Sequence, residues 1–349
     1  MRLKKCAERR CASLDNMNLN NKVNNEANNE MIEEIEKEEI YDDARKILAD
    51  SLLDLGNKYN NVVYISMDSS AGASGNPFRQ AFPERHFEFG IAEQNAMGEA
   101  AGMAISGKIP VIAAYVPFAT YRPFEQIRDD LCKTKLNVII IGNNSGFSVS
   151  ALGPTHTVLE EVGILRALPN MTIICPADGV EYKQVLEVAL KVKSPTYIRV
   201  SRIKAKRIFK DEHKLVFGKA DVVKEGSDIS IVAAGTMVSR SLEAAFELEK
   251  NGISAEVISM STIKPLDEEA IIKSARKTGK VVTVEEHSIY NGLGSAVAEV
   301  LVQNFPVRMK FIGVPDEYAP VGTYEELIDY YNLTGQKITS QVLDFYKSL

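Results

Sequence analysis

The chain has no tryptophan and only four cysteines, Cys6, Cys11, Cys132 and Cys175. They show no C-x-x-C spacing, so neither a zinc site nor a disulfide framework is expected, and the pattern fits a reducing cytoplasm. No apolar run approaches the roughly 20 residues that cross a bilayer, so no membrane segment is expected. The opening stretch MRLKKCAERRCASLDN is basic but has no apolar h-region, and it does not read as a secretory signal. Basic residues are not interleaved with aromatics and the net charge is −6, which argues against a general nucleic-acid binder.

What is present is the composition of a soluble globular protein: 349 residues, 45% apolar and 25% charged, enough chain for two domains. Residues 1–39 stand apart. Asn fills eight of the fourteen positions from Asn16 to Asn29, an acidic run EEIEKEE follows, and little there could bury a core. A disordered leader is expected. From Tyr41 the pattern alternates. The helix DDARKILADSLLDLGNKY precedes the strand NVVYISM. Then come a helix over 94–106, strand PVIAAY, a helix over 123–134, strands NVIIIG and MTIIC, a helix over 179–193 and strand PTYIRV. Short apolar strands separated by helices predict a parallel sheet covered on both faces. A weakly periodic, charged stretch places a linker at 206–217. A second α/β set follows over 218–349, with strands DISIVAA, AEVISM, VVTVEE and MKFIGV. The fold expected is therefore two doubly wound α/β domains, 40–205 and 218–349.

Three segments could carry chemistry. In HFEFGIAEQNAMGEAAGMAISGK a strand leads into a helix whose first turn holds Glu93. Taken alone, that acid reads as a helix cap favoured by the dipole. In PVIAAYVPFATYRPFEQIRDD, Phe118, Tyr121 and Phe124 recur every third residue after a strand. They read as core, or as the walls of a slot for a flat heteroaromatic ring. In IGNNSGFSVSALGPTHTVLEEVG, His156 sits in a Gly- and Ser-rich loop between a strand end and a helix, a common place for ligands in open α/β sheets.

GIAEQN, the F-x-x-Y-x-x-F spacing, GPTH, LPNMTIICPAD, IKPLD and VEEHSIYNGLGSAVAEV together resemble the pyrimidine-binding and C-terminal domains of transketolases and 1-deoxyxylulose-5-phosphate synthases. The resemblance runs from about Tyr41 to Leu349. It implies a thiamine-diphosphate enzyme in which Glu93, as a partly desolvated carboxyl, hydrogen-bonds the aminopyrimidine and helps to activate the cofactor. It further implies that Phe118, Tyr121 and Phe124 hold the pyrimidine and that His156 faces the donor substrate. Arg45 and Arg202, placed after the first helix and after strand PTYIRV, would bind a sugar phosphate.

The family's other half carries a GDG motif whose ligands hold Mg²⁺ against the diphosphate. No GDG occurs in this sequence; the nearest string, ADG at 177–179, matches the family's structural PAD. Asn143 and Asn144 lie on the pyrimidine side and are not read as metal ligands. The resemblance thus implies a split enzyme: a separate N-terminal subunit as partner, this chain as the dimer core, and two copies of each chain. Leu152 and Asn144 stand where transketolases usually carry an Asp and a second His, which points to an unusual sugar. VEEHS is read as structure or interface, GLG at 292–294 is too short for a nucleotide loop, and His86 and His213 read as packing or exposed residues. The competing readings are the β subunit of a 2-oxoacid dehydrogenase and a non-catalytic transketolase-like subunit.

Overall fold

The computed structural model describes residues 40–68 and 75–348; the leader expected over 1–39 lies outside them. Fourteen strands occur among the described residues. They are β1 Tyr41–Asp42, β2 Val62–Ser66, β3 His86–Glu88, β4 Ile109–Tyr115, β5 Ile139–Asn143, β6 Thr172–Ile174 and β7 Thr196–Val200. Then follow β8 Ala205–Lys206, β9 Asp221–Lys224, β10 Ile229–Ala233, β11 Ala255–Ser259, β12 Thr262–Lys264, β13 Lys280–Ser288 and β14 Arg308–Val314. The first sheet has the order β12-β6-β7-β5-β4-β2-β3, and the second β14-β13-β10-β11-β9. Both are parallel except for one antiparallel edge strand each, β12 against β6 and β9 against β11.

The central strands β2, β4 and β5 of the first sheet are largely apolar and buried because each face has its own cover. Val111 and Ala113 of β4 pack with Leu48 and Leu52 of the helix Ala44–Lys58 and with Val185 and Leu186 of the helix Gly179–Val192. Ile112 and Ala114, one residue out of phase, pack with Ala96, Met97, Leu131 and Leu165. That second cluster continues into Ile258, Met260, Val281 and Leu293, so one apolar core joins the two sheets. The α/β class with two doubly wound sheets agrees with the expectation from sequence.

Several features differ from it. β1, β8, β9 and β12 are not among the expected strands; each is short, and its pairing partner lies far away in sequence. β12 leaves the second sheet's segment to close the edge of the first. The single helix expected over 123–134 is instead the short helix Phe124–Gln126 continued by a wider π-helical stretch, Ile127–Cys132. Among the described residues no helix is long and apolar enough to cross a membrane. Cys132 and Cys175 are free and buried, and burial pushes the Cys175 thiol up to about 12.

The stretch read as a linker is held by side chains of the neighbouring helix. Asp178 caps the helix Gly179–Val192 by accepting from Val180 and Glu181 N–H, and its other oxygen accepts from Ile208 and Phe209 N–H at 2.7 Å each. Gln184 donates to the His213 carbonyl and accepts from Leu215 N–H. The His213 ring stacks on Phe209, with Nε2 3.6 Å from Glu181 and 3.9 Å from Asp221. These three side chains have the spacing of metal ligands, but both Glu181 oxygens already accept from Ser261 Oγ, and one also from Ala177 N–H, as befits an ion pair.

Glu181 raises the pKa of His213 above its ordinary value. A raised folded-state pKa adds stability that is complete below the unfolded value of about 6.5 and is lost as pH rises through the folded one. Between pH 6 and pH 9, urea denaturation is therefore expected to show the wild type losing more stability than His213→Gln; parallel losses would contradict the assignment.

Candidate functional site

Parallel strands end on one edge of their sheet, and the segments singled out in the sequence all leave that edge. Glu93 follows β3, Phe118 follows β4, His156 lies in the loop after β5, and Arg202 follows β7. In the sheet these strands are neighbours or next neighbours, in the order β7-β5-β4-β2-β3. Loops at the carboxyl ends of such a sheet form its usual ligand crevice.

Glu93 opens the helix Glu93–Ile105 on the stripe that also carries Ala96, Met97 and Ala100, all buried. The i, i+3, i+4, i+7 spacing that buries the helix thus buries a carboxylate with it; Glu93 is 6% exposed. It does not cap its own helix. Its Oε1 accepts instead from Arg122 Nη1 at 2.7 Å, across from the segment after β4. The Arg122 guanidinium lies over the Phe118 ring, 4.1 Å from the centroid. His156 meets Phe118 edge-on at 5.5 Å, and Tyr115 lies parallel to Phe118 at 6.4 Å. Glu93, Phe118 and His156 are therefore brought together, with Arg122 and Tyr115 between them.

The other two aromatics are placed differently. Phe118 is in the helix Val116–Thr120 and Tyr121 is that helix's C-cap; Pro123 then breaks the segment before Phe124. The three do not share one helical face. Tyr121 is partly exposed and its hydroxyl donates to Glu160 Oε2 at 2.7 Å, while Phe124 packs on the core.

The loop with His156 is fastened to the second sheet. Glu286 of β13, fully buried, accepts from Phe147 N–H at 2.7 Å, Thr236 Oγ1 at 2.8 Å and Tyr324 Oη at 3.0 Å. Burial pushes its pKa up, against these donors and the nearby Arg199. Ser150 Oγ donates to the Gly322 carbonyl, Ser288 N–H to the Leu159 carbonyl, and Gly163 N–H to His287 Nε2. Arg199 of β7 pairs with the buried Glu161 at 2.5 Å and donates to the Glu286 carbonyl at 2.9 Å. Glu285 accepts from Leu293 and Gly294 N–H, so these two amides of GLG are engaged within the chain. V-E-E-H-S works here as a fastening between the sheets.

Arg45 stands in the first turn of the helix Ala44–Lys58, behind its N-cap Asp43, rather than after that helix. The helix runs back toward the amino end of β2, which sends its start to the carboxyl edge. The β1–β8 pairing of Asp42 with Ala205 ties that start to the segment after β7, with Arg45 and Arg202 each three residues from the paired positions. Arg202 is exposed, and its N–H donates to Ser148 Oγ. Leu152 is exposed at the end of the turn Ser150–Leu152, whereas Asn144 is buried at φ +62°. Arg122, Tyr115 and Glu160 had no periodic or motif signal of their own. Only the position of Arg122 between two predicted slot residues hinted at it.

The family model of the transketolase pyrimidine-binding domain matches residues 42–207, and that of the transketolase C-terminal domain matches 218–338. The chain belongs to the transketolase family. It is 40% identical to a putative transketolase C-terminal section of Methanocaldococcus jannaschii, over 88% of this chain and 98% of that protein. It is 37% identical to one of the subunits of an apulose-4-phosphate transketolase of Phocaeicola vulgatus, over 87% of this chain and 97% of that one. Among solved structures, a split gene transketolase described as an inactive β4 tetramer superposes with a TM-score of 0.79 at 38% identity, over 88% of this chain and 98% of that one.

In this transketolase chain the close approach of loop and second sheet needs glycine at 146. Gly146 has φ +60°, and a Cβ there would meet Glu286 Oε1 at 2.1 Å. Gly107 has φ +86° with open space around it. Gly107→Ala is expected to cost about 1 kcal/mol, the left-handed backbone alone. Gly146→Ala adds a steric clash and is expected to cost about 3 kcal/mol by urea denaturation. Equal costs would mean that the loop does not rest on Glu286.

Proposed function

We propose that this chain is the C-terminal subunit of a split, thiamine-diphosphate-dependent transketolase, moving a two-carbon ketol unit between sugars or sugar phosphates. The observation that carries the reading is Glu93, a carboxylate buried on an apolar helix stripe and hydrogen-bonded to a flat cation lying on Phe118. The same oxygen and the same ring suit an aminopyrimidine, which offers a π-face and a ring nitrogen at its edge. When bound, thiamine diphosphate supplies the electron sink for carbon–carbon cleavage. On the protein's side, Glu93 shares a proton with the pyrimidine nitrogen and Phe118 supports the ring's face, while Tyr121 and Phe124, which meet other neighbours, complete the pocket from its margin. His156 hydrogen-bonds the donor's carbonyl or hydroxyl, and Arg45 and Arg202 take a phosphate.

The diphosphate end calls for a second chain. Mg²⁺ and diphosphate then fall mainly to an N-terminal subunit, with two copies of each chain and this one at the dimer core. The nearly full-length matches to one subunit of a transketolase and to a split-gene relative support this arrangement. Residues 40–205 form the pyrimidine-binding domain, 206–217 the linker and 218–349 the C-terminal domain. Leu152 and Asn144, in place of hydroxyl- and phosphate-reading groups, support a sugar other than the common pentose phosphates, as does the likeness to an apulose-4-phosphate transketolase.

The test reconstitutes this chain with a GDG-bearing N-terminal transketolase subunit. Ketol transfer is expected from the mixture and from neither chain alone. Glu93→Gln in the same mixture is expected to slow exchange of the cofactor's thiazolium proton about 10²–10⁴-fold while leaving the melting temperature in place. Exchange at the wild-type rate, or activity of this chain by itself, would overturn the reading.

A further inference from the structure

We propose that Arg122 is a place-holder for the cofactor's pyrimidine: it fills the ring's position in the unloaded subunit and must leave for the ring to bind. The proposal rests on the reading of Glu93 and Phe118 given above, and adds to it a device for loading.

Two contacts define Arg122. Along its edge, Nη1 donates to Glu93 Oε1 at 2.7 Å; with its face, the guanidinium covers Phe118 at 4.1 Å. A guanidinium is flat and delocalised, carries N–H groups along its rim and stacks on aromatic faces. An aminopyrimidine presents the same outline, a flat π-system with a nitrogen-bearing edge. Arg122 lies over the face of Phe118, while His156 meets the ring edge-on at 5.5 Å and Tyr115 lies parallel to it at 6.4 Å. A pyrimidine that bonded Glu93 and stacked on Phe118 would take both of Arg122's contacts.

The exposures of the two partners make the exchange one-sided. The Glu93 side chain is 7% exposed and the Arg122 side chain 47%. A carboxylate held away from water is costly without a donor, so Glu93 needs a partner at all times. Once another donor takes its place at Glu93, Arg122 can keep its charged head in solvent at little cost, because its side chain is already half exposed. Arg122 also sits between the helices Val116–Thr120 and Phe124–Gln126, just before Pro123, so its side chain can swing without unwinding either. The consequence is an ordering of events. Arg122 keeps Glu93 satisfied in the lone subunit and competes with the pyrimidine there, so that loading awaits the added grip of a diphosphate site elsewhere.

The test uses the isolated full-length chain and 4-amino-2,5-dimethylpyrimidine, the ring without its diphosphate, with binding read by ligand-observed NMR. Arg122→Ala is expected to bind the ring at least tenfold more tightly than wild type. Arg122→Lys, which keeps the charge but not the plane, is expected to fall between them, and Glu93→Gln added to Arg122→Ala is expected to remove the gain. Circular dichroism and thermal unfolding confirm that each variant is folded, and the lysine variant serves if the alanine variant is not. Binding by Arg122→Ala equal to or weaker than wild type would overturn the place-holder and leave the cofactor reading standing. Binding by none of the variants would overturn both.

Discussion

The geometry of the candidate site depends on one buried carboxylate in the half of the chain that carries none of the candidate residues. Glu286 takes hydrogen bonds from the loop after β5, from Thr236 and from Tyr324, and so hooks the His156 loop onto the second sheet. Such a group is stable in the interior only when its donors are all present, because burial opposes its charge. Arg199 extends the fastening from the other side, joining β7, Glu161 and the backbone of β13. The second sheet acts as the mount that fixes the His156 loop, and the Leu293 and Gly294 amides of its glycine-leucine-glycine stretch are taken by the chain's own Glu285.

Glu93 poses the opposite problem. Its position on the helix's apolar stripe strips it of water, yet its partner comes from a separate segment and is half in solvent. Glu286 is surrounded by buried donors; among the described residues Glu93 accepts from one side chain, and that one is half-exposed. That contrast between a closed and an open hydrogen-bond shell separates the two buried acids more sharply than burial does, since both are below a tenth exposed.

Much of this was legible in the amino-acid order, for a physical reason. Sheets covered on both faces require unbroken apolar strands, and NVVYISM, PVIAAY and NVIIIG announce themselves in that way. Glu93 and His156 could be named because the motifs around them resemble those of the transketolase family, which the family models then matched over most of the chain. Arg122 was not legible, since a lone arginine between two aromatics looks like any surface cation. Its meaning comes from the carboxylate opposite, 29 residues earlier. The spacing of Phe118, Tyr121 and Phe124 suggested one wall, but Pro123 ends the first short helix, and the three rings face different neighbours.

By itself, the sequence determined the class of fold, most of the parallel strands and the segments that resemble the family's motifs. All three follow from local hydrophobic patterning and from motifs a few residues long. Only the tertiary structure decided which strands close the sheet edges, which side chains meet at the carboxyl edge, and what satisfies each buried charge. Those outcomes hang on contacts between residues tens to more than a hundred positions apart, and no local pattern records them.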